Sequence, residues 1–264
     1  MPPIRFSPPR AAEQIEANLE AFSLSFGAIE GACSRIERDV RWVYTGAARL
    51  NRVVGAHFDE DEADERIGQV LAEFATRGAP AAWFLGPSSR PLDLPDRLLR
   101  HGLKHRGDWT GMAADLGTIA LYEPAGVEVE EVRRPEGLCR WARAITQGFE
   151  MPAADAADFE RVVAGLRDDP GCVRRYYLAG RDGAPLAGSL LFAQDGIAGL
   201  YYVGTIPGAR RQGLASAVTL RALGEARDLG CRVATLHAAP AGSQVYSRFG
   251  FRPYCTISIY DFRP

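Results

Sequence analysis

Between Gly199 and Ser216 the chain reads GLYYVGTIPGARRQGLAS, and this stretch restricts the possible folds more than any other. Leu200, Tyr201, Tyr202 and Val203 are β-formers bounded by turn residues, so they predict a buried strand; Pro207, which has no N–H for a ladder, ends it. From Gly213 the period changes. Ala215, Val218, Ala222, Ala226 and Leu229 recur at helical spacing until Gly230 stops the run. Strand, basic turn and helix in that order leave the first N–H groups of the helix unpaired and aimed at one point, which suits a phosphate. Gly213 allows close backbone approach, Ala215 keeps the first turn narrow, and Arg210 and Arg211 add positive charge. The turn is not a Walker loop, since no Gly-Lys-Ser/Thr follows, and not a dinucleotide fingerprint, since Gly-x-Gly-x-x-Gly is missing.

Arg210-Arg211-Gln212-Gly213-Leu214-Ala215 resembles the Arg/Gln-x-x-Gly-x-Gly/Ala signature of the GNAT superfamily of N-acyltransferases, with Pro207 where that family usually has a proline. The elements that follow keep the family's order: a helix to Leu229, a strand from Cys231 to His237, then Gly242 to Phe251, similar to a second signature, a tyrosine-bearing helix closing on Gly-Phe. The resemblance implies an α/β (α+β) fold, a mixed, mostly antiparallel sheet flanked by helices, with acetyl-CoA as co-substrate. It implies that Val203, Gly204 and Thr205 hold the pantetheine arm, and that Arg210, Arg211, Gln212, Gly213, Leu214, Ala215 and Ser216 hold the pyrophosphate. The strand ahead of the turn is expected to splay from its neighbour, and its bare N–H groups to stabilise a tetrahedral oxyanion. Gly204, a lone glycine in a β-rich run, predicts a bulge or a close backbone approach.

Acyl transfer to an amine needs a neutral nucleophile and a proton for the departing thiolate. Tyr246, which the resemblance puts near the sulfur, is the expected general acid. Two residues are candidates for the base: His237, ending its strand, and Glu150, on a loop between two helices; a water chain is the alternative to both. Ala239 departs from the family pattern, standing where many relatives carry an Asn seven residues before the tyrosine.

With 264 residues the chain has room for two domains. In the first half Ile15, Leu19, Phe22 and Phe26 mark an amphipathic helix; Val40 to Tyr44 and Arg52 to His57 read as paired strands; Ile67 to Phe74 is a helix, Ala82 to Leu85 a strand, Pro95 to His101 a helix and Trp109 to Leu116 a strand. This order repeats in the second half, from a strand at Val127 to Val132 through two helices, the second stopping at Asp168-Asp169-Pro170-Gly171, and a strand pair about Arg181-Asp182-Gly183. Laying Gly102-Leu103 on Gly250-Phe251 sets Leu98 at the position of Tyr246. Where the second half has its basic turn, the first has Asp59-Glu60-Asp61-Glu62-Ala63-Asp64-Glu65. Each such charge about 4 Å from a phosphate costs about 1 kcal/mol even in water. Residues 1–121 are therefore read as a degenerate, non-catalytic copy, residues 126–264 as the acetyl-CoA-binding copy, and Tyr122 to Gly126 as the linker.

A net charge of -2 without a Lys/Arg-rich block argues against a nucleic-acid partner. No leader pattern and no apolar run approaching about 18 residues are present, so a cytoplasmic chain without membrane contact is expected. The five cysteines, Cys33, Cys139, Cys172, Cys231 and Cys255, are scattered and never spaced C-x-x-C, which predicts neither a disulfide framework nor a metal site. The expected activity is acetyl-CoA-dependent acetylation of the primary amine of a small molecule by direct attack on the thioester, by a monomer or homodimer. A non-catalytic acyl-CoA-binding regulatory module and a protein or peptide acetyltransferase are the rival readings.

Overall fold

The computed structural model describes residues 6–122, 126–166, 169–181, 183–240 and 242–264. The core of the expected linker (123–125), Asp168 of the helix stop and Asp182 of the hairpin turn lie outside the described residues. The first half contains α1 (Ala11–Leu24), β1 (Cys33–Ile36), β2 (Arg41–Tyr44), β3 (Arg52–Val54), α2 (Ala63–Ala75), β4 (Ala81–Leu85), α3 (Leu94–Arg100) and β5 (Lys104–Asp115). The second contains β6 (Glu128–Val132), α4 (Pro135–Gly148), α5 (Ala153–Ala164), β7 (Val173–Arg181), β8 (Ala184–Gln194), β9 (Ile197–Thr205), α6 (Leu214–Asp228), β10 (Val233–Ala238), α7 (Ser243–Ser247) and β11 (Arg252–Phe262).

The two halves share one sheet of eleven strands among the described residues, in the order β1-β2-β3-β4-β11-β5-β10-β9-β8-β7-β6. The pairing is reciprocal. β5, the last strand of the first half, lies antiparallel between β10 and β11 of the second, and β11, the last strand of the chain, lies antiparallel between β4 and β5 of the first. Each half thus closes on a strand lent by the other, an exchange that hydropathy along the chain does not disclose. Within each half one pair is parallel, β3 with β4 and β9 with β10, and the remaining neighbours are antiparallel.

The caps are consistent with the internal repeat. Gly102 and Gly250 both adopt left-handed backbone, φ 85 and 91, and the next residue donates its N–H back to the helix: Leu103 to Leu98 O at 3.1 Å, Phe251 to Tyr246 O at 3.3 Å. The same glycine-terminated cap closes α2 at Gly78 and α6 at Gly230, so it is a general way these helices end and fits the alignment of Leu98 with Tyr246 without singling it out.

Helices cover both faces, because strands alternate their side chains: Trp83 packs under α2 and α3, whereas its neighbour Phe84 packs on the α1 side. One face carries α1, α4 and α5 through Phe22, Trp141, Ile145 and Phe159; the other carries α6 over the second half and α2 with α3 over the first. Helix α1 belongs to the first half in sequence yet packs on β9 of the second. The Tyr201 hydroxyl donates to Asn18 Oδ1 at 2.8 Å, and the Phe22 and Tyr201 rings stack with centroids 3.6 Å apart. The Asn18 amide in turn donates to Ile197 O at 3.4 Å.

Two strands start where the sequence shows no signal. β1 is largely solvent-facing, and β5 begins at Lys104 rather than Trp109 because Lys104 to Asp108 pair with β11 while staying mostly exposed.

Candidate active site

Strands β9 and β10 run side by side from Ile197↔Val233 to Leu200↔Leu236 and then part. Beyond that point β10 keeps pairing with β5 through Ala238, while β9 keeps pairing with β8 through Thr205. The edges they turn toward each other are left without ladder partners. The sequence assigns the irregularity to Gly204, but Gly204 sits opposite Gly188 in regular register. The bulge is at Tyr202, whose φ of 50 is left-handed; Tyr202 and Val203 together oppose Ser189. A bulky residue in that region is strained. Tyr202 is held there by a 3.1 Å hydrogen bond from Arg52 Nη2 to its hydroxyl and by edge contacts with Trp141 and Phe159. The extra residue has a second effect: it turns the rings of both Tyr201 and Tyr202 toward Phe22 on the α1 face and sends Val203 to the α6 side. What crowds Gly204 is a side chain rather than the expected backbone: a Cβ there would fall 2.9 Å from the Phe149 ring.

The turn after β9 opens to solvent. Arg211, Gln212 and Gly213 are exposed, Gly213 has φ 80, and a side chain at Gly213 would meet no protein atom within 4 Å. Ala217 makes the N–H bond back to Gly213 O at 3.0 Å, which leaves the amides of the preceding turn pointing outward. Leu214 is buried, so only its backbone N–H can serve a ligand, and Ala215 and Ser216 are partly exposed. Thr205 Oγ1 is buried without a hydrogen-bond partner.

Three of the expected site residues make contacts that the sequence does not suggest. Arg210 does not project into the notch: it donates to Thr205 O (3.3 Å), Gly148 O (3.1 Å) and Glu150 Oε2 (2.8 Å), bracing the turn against the α4–α5 loop. Glu150 is the exposed partner of that ion pair. His237 projects from β10 onto the α1 face, its ring centroid 6.0 Å from that of Tyr201. Burial, with a smaller contribution from the Arg52 charge, pushes its pKa down to about 3, and Nε2 has no hydrogen-bond partner. The ring is therefore neutral at any physiological pH, too weak a base to hold a proton taken from an amine.

Tyr246 lies on α7, on the α6 side, packed near Phe251 with ring centroids 6.2 Å apart. Desolvation raises its pKa to about 12, so the phenol keeps its proton. Tyr246, Tyr202 and His237 each retain accessible surface while being strongly desolvated, the combination expected of side chains that line a deep cleft. The parting of β9 and β10 thus lies between two groups of side chains: the turn amides and Tyr246 on the α6 face, and an aromatic cluster packed under α1 on the other.

In the first half, the corresponding helix terminus is occupied by exposed acids, with Asp64 bound to Arg97 (2.6 Å) and His101 (3.0 Å), and Leu98 is wholly buried. Sequence reasoning missed Arg52. Its only signal was a cation at the head of a strand otherwise made of Val53 and Val54, which reads as an exposed strand end but is buried.

Residues 136–251 match the family model described as the acetyltransferase (GNAT) family. Curated proteins yield no match. Among solved structures, a GCN5-related N-acetyltransferase from Kribbella flavida is similar at TM-score 0.71 and 21% identity, over 95% of this chain and 95% of that one. A GCN5-related N-acetyltransferase from Sphaerobacter thermophilus aligns at 0.61 and 16% over 98% and 95%, and a tandem GNAT protein from the clavulanic acid biosynthesis pathway at 0.60 and 15% over 99% and 97%. At these identities the solved structures speak for the fold.

Proposed function

Because residues 136–251 match the acetyltransferase (GNAT) family, we propose that the protein moves an acetyl group from acetyl-CoA to the primary amine of a small molecule. The observation that carries this reading is the parting of β9 from β10 with an open, amide-lined notch at its mouth. The amides of Gly213 to Ser216, with Arg211 beside them, suit a diphosphate. The free edge of β9 at Val203 to Thr205 suits the amide groups of a pantetheine arm, which bond to backbone as a strand would.

In this reading the amine arrives from the α1 face, already neutral, and attacks the thioester carbonyl in the gap. Free N–H groups on the β9 edge stabilise the oxyanion, and Tyr246, still protonated at neutral pH, donates to the departing sulfur. His237 accepts a hydrogen bond from the amine and orients it, and the proton leaves through water rather than through His237. Residues 1–121 act as structural partner: they lend β5 and cover the aromatic cluster with α1, while their acidic α2 terminus repels a diphosphate.

Thiol release from acetyl-CoA in the presence of a panel of small primary amines tests the proposal. Amine-dependent release is expected. Tight acetyl-CoA binding with no release under any amine indicates a non-catalytic module, and release only with peptide lysines points to a protein acetyltransferase.

A further inference from the structure

Arg52 is 8% exposed, and among the described residues no carboxylate lies within ion-pairing distance of it. Its guanidinium is enclosed by three phenyl rings, with centroid distances of 5.1 Å to Phe22, 5.5 Å to Phe26 and 5.2 Å to Phe84. Two neutral oxygens accept from it, Tyr202 Oη at 3.1 Å and Ser23 Oγ at 3.4 Å, and Nε has no partner. Buried charges are ordinarily paired, because burial without a counter-ion costs several kcal/mol. Arg52 instead has an aromatic wall, which offsets part of that cost, and an unspent set of donors.

The position decides what the charge is for. Arg52 touches Tyr202, the residue at which β9 leaves β10, so it stands at the inner end of the gap on the α1 face. That face is opposite the notch proposed for the diphosphate, so the cation is remote from the phosphates and faces the acceptor side. A second buried polar atom without a partner, His237 Nε2, lies on the same face. Strain at Tyr202 is maintained in part by Arg52 itself. A guanidinium fork backed by phenyl rings is built to take a carboxylate attached to an apolar body.

We propose that the α1 face of the gap takes a substrate bearing a carboxylate, bound by Arg52, with an apolar portion lying against the half-buried ring of Tyr202. The assignment rests on the acyl-transfer reading for its position along the reaction, but not for the binding event itself. The carboxylate belongs either to the acceptor, as in an amino acid, or to the acyl group, as in a dicarboxylic acyl thioester.

The test begins with binding, which needs no turnover. Phenylacetate and phenylacetamide, equal in shape and different in charge, are titrated into the full chain by calorimetry. Phenylacetate is expected to bind at least about tenfold tighter, and Arg52→Met to remove the preference. Equal binding of the two to the native protein overturns the proposal, as does a folded Arg52→Met protein that keeps the preference. If Arg52→Met lacks a cooperative melt, Arg52→Lys replaces it, and a preference undiminished by loss of the fork is equally fatal.

The turnover arms identify the source. Acetyl-CoA with phenylalanine is compared with acetyl-CoA with phenethylamine, and with succinyl-CoA with phenethylamine. An advantage for phenylalanine, lost in the Arg52 variant mainly through KM, assigns the carboxylate to the acceptor; an advantage for succinyl-CoA assigns it to the acyl group. Absence of turnover in every arm with carboxylate preference intact refutes the acyl-transfer reading while leaving the Arg52 site standing.

Discussion

Gly213 separates the conformational and electrostatic requirements of the notch. Its φ of 80 lies in the left-handed region, and a Cβ there meets open space, so Gly213→Ala has no steric cost beyond backbone strain of about 1–2 kcal/mol. For a chain of this size that lowers Tm by about 2–8 °C. Gly213→Glu adds the same strain plus a carboxylate beside the proposed diphosphate. A unit charge about 4 Å away costs about 1 kcal/mol in water and about 4 at an effective dielectric near 20, so two phosphate charges cost at least about 2 kcal/mol. We expect Ala to weaken acetyl-CoA binding by less than about fivefold and Glu by at least about thirtyfold, with the difference shrinking as salt is raised. Isothermal calorimetry at two ionic strengths, with melting curves as a folding control, measures both. Asp61→Arg, at the equivalent turn of the first half, is expected to leave the affinity unchanged. Equal affinities for Gly213→Ala and Gly213→Glu at low salt would refute the notch as an anion site.

Tyr246→Phe is expected to lower kcat by about a hundredfold with acetyl-CoA affinity intact, and since the phenol keeps its proton to about pH 12, native kcat/KM measured across the alkaline range is expected to rise with amine deprotonation and show no Tyr246 loss below pH 10. His237 gives a stability test. Its folded pKa of about 3 lies below the unfolded value near 6.5, so between those values the unfolded chain binds the extra proton and stability falls as pH drops. His237→Gln is expected to lose less Tm between pH 7 and pH 4 than the native protein, and identical slopes would remove His237 from that window.

The parts of this fold written locally were legible. The strand-turn-helix at Gly199 to Ser216, the Tyr246 helix and the repeated Gly-apolar caps all depend on residues close in sequence, where period and turn chemistry speak directly. What escaped depends on distant partners. Arg210 looked like a phosphate ligand because its neighbours in the chain are basic, but in space its neighbour is Glu150. The bulge was assigned to Gly204 because glycine tolerates left-handed backbone at no cost; tertiary contacts from Arg52 and Trp141 impose it on Tyr202 instead. Arg52 itself, first in a strand of three residues, carries no sequence mark of burial among three phenylalanines from α1, the turn after it and β4.

The exchange of strands sets how far the two halves can be treated as separate domains. Without residues 1–121, β10 would lose β5 along Val233 to Ala238, and β11 would lose β5 and β4 along almost its whole length. The β9 surface around Tyr201 would lose the Phe22 stack and the Asn18 hydrogen bond. On the order of ten ladder hydrogen bonds vanish, each worth about 1 kcal/mol net, against a total stability of about 5–15 kcal/mol for a protein. Residues 126–264 expressed alone are therefore expected to lack a cooperative melt and to bind no acetyl-CoA, whereas co-expression with residues 1–122 restores both. The one escape is for β11 to swing across and pair with β10 in place of β5. A cooperative, acetyl-CoA-binding fragment would show that it does, and that the first half contributes only the α1 roof; its carboxylate preference would then be lost with Arg52 while acetyl transfer to uncharged amines survived.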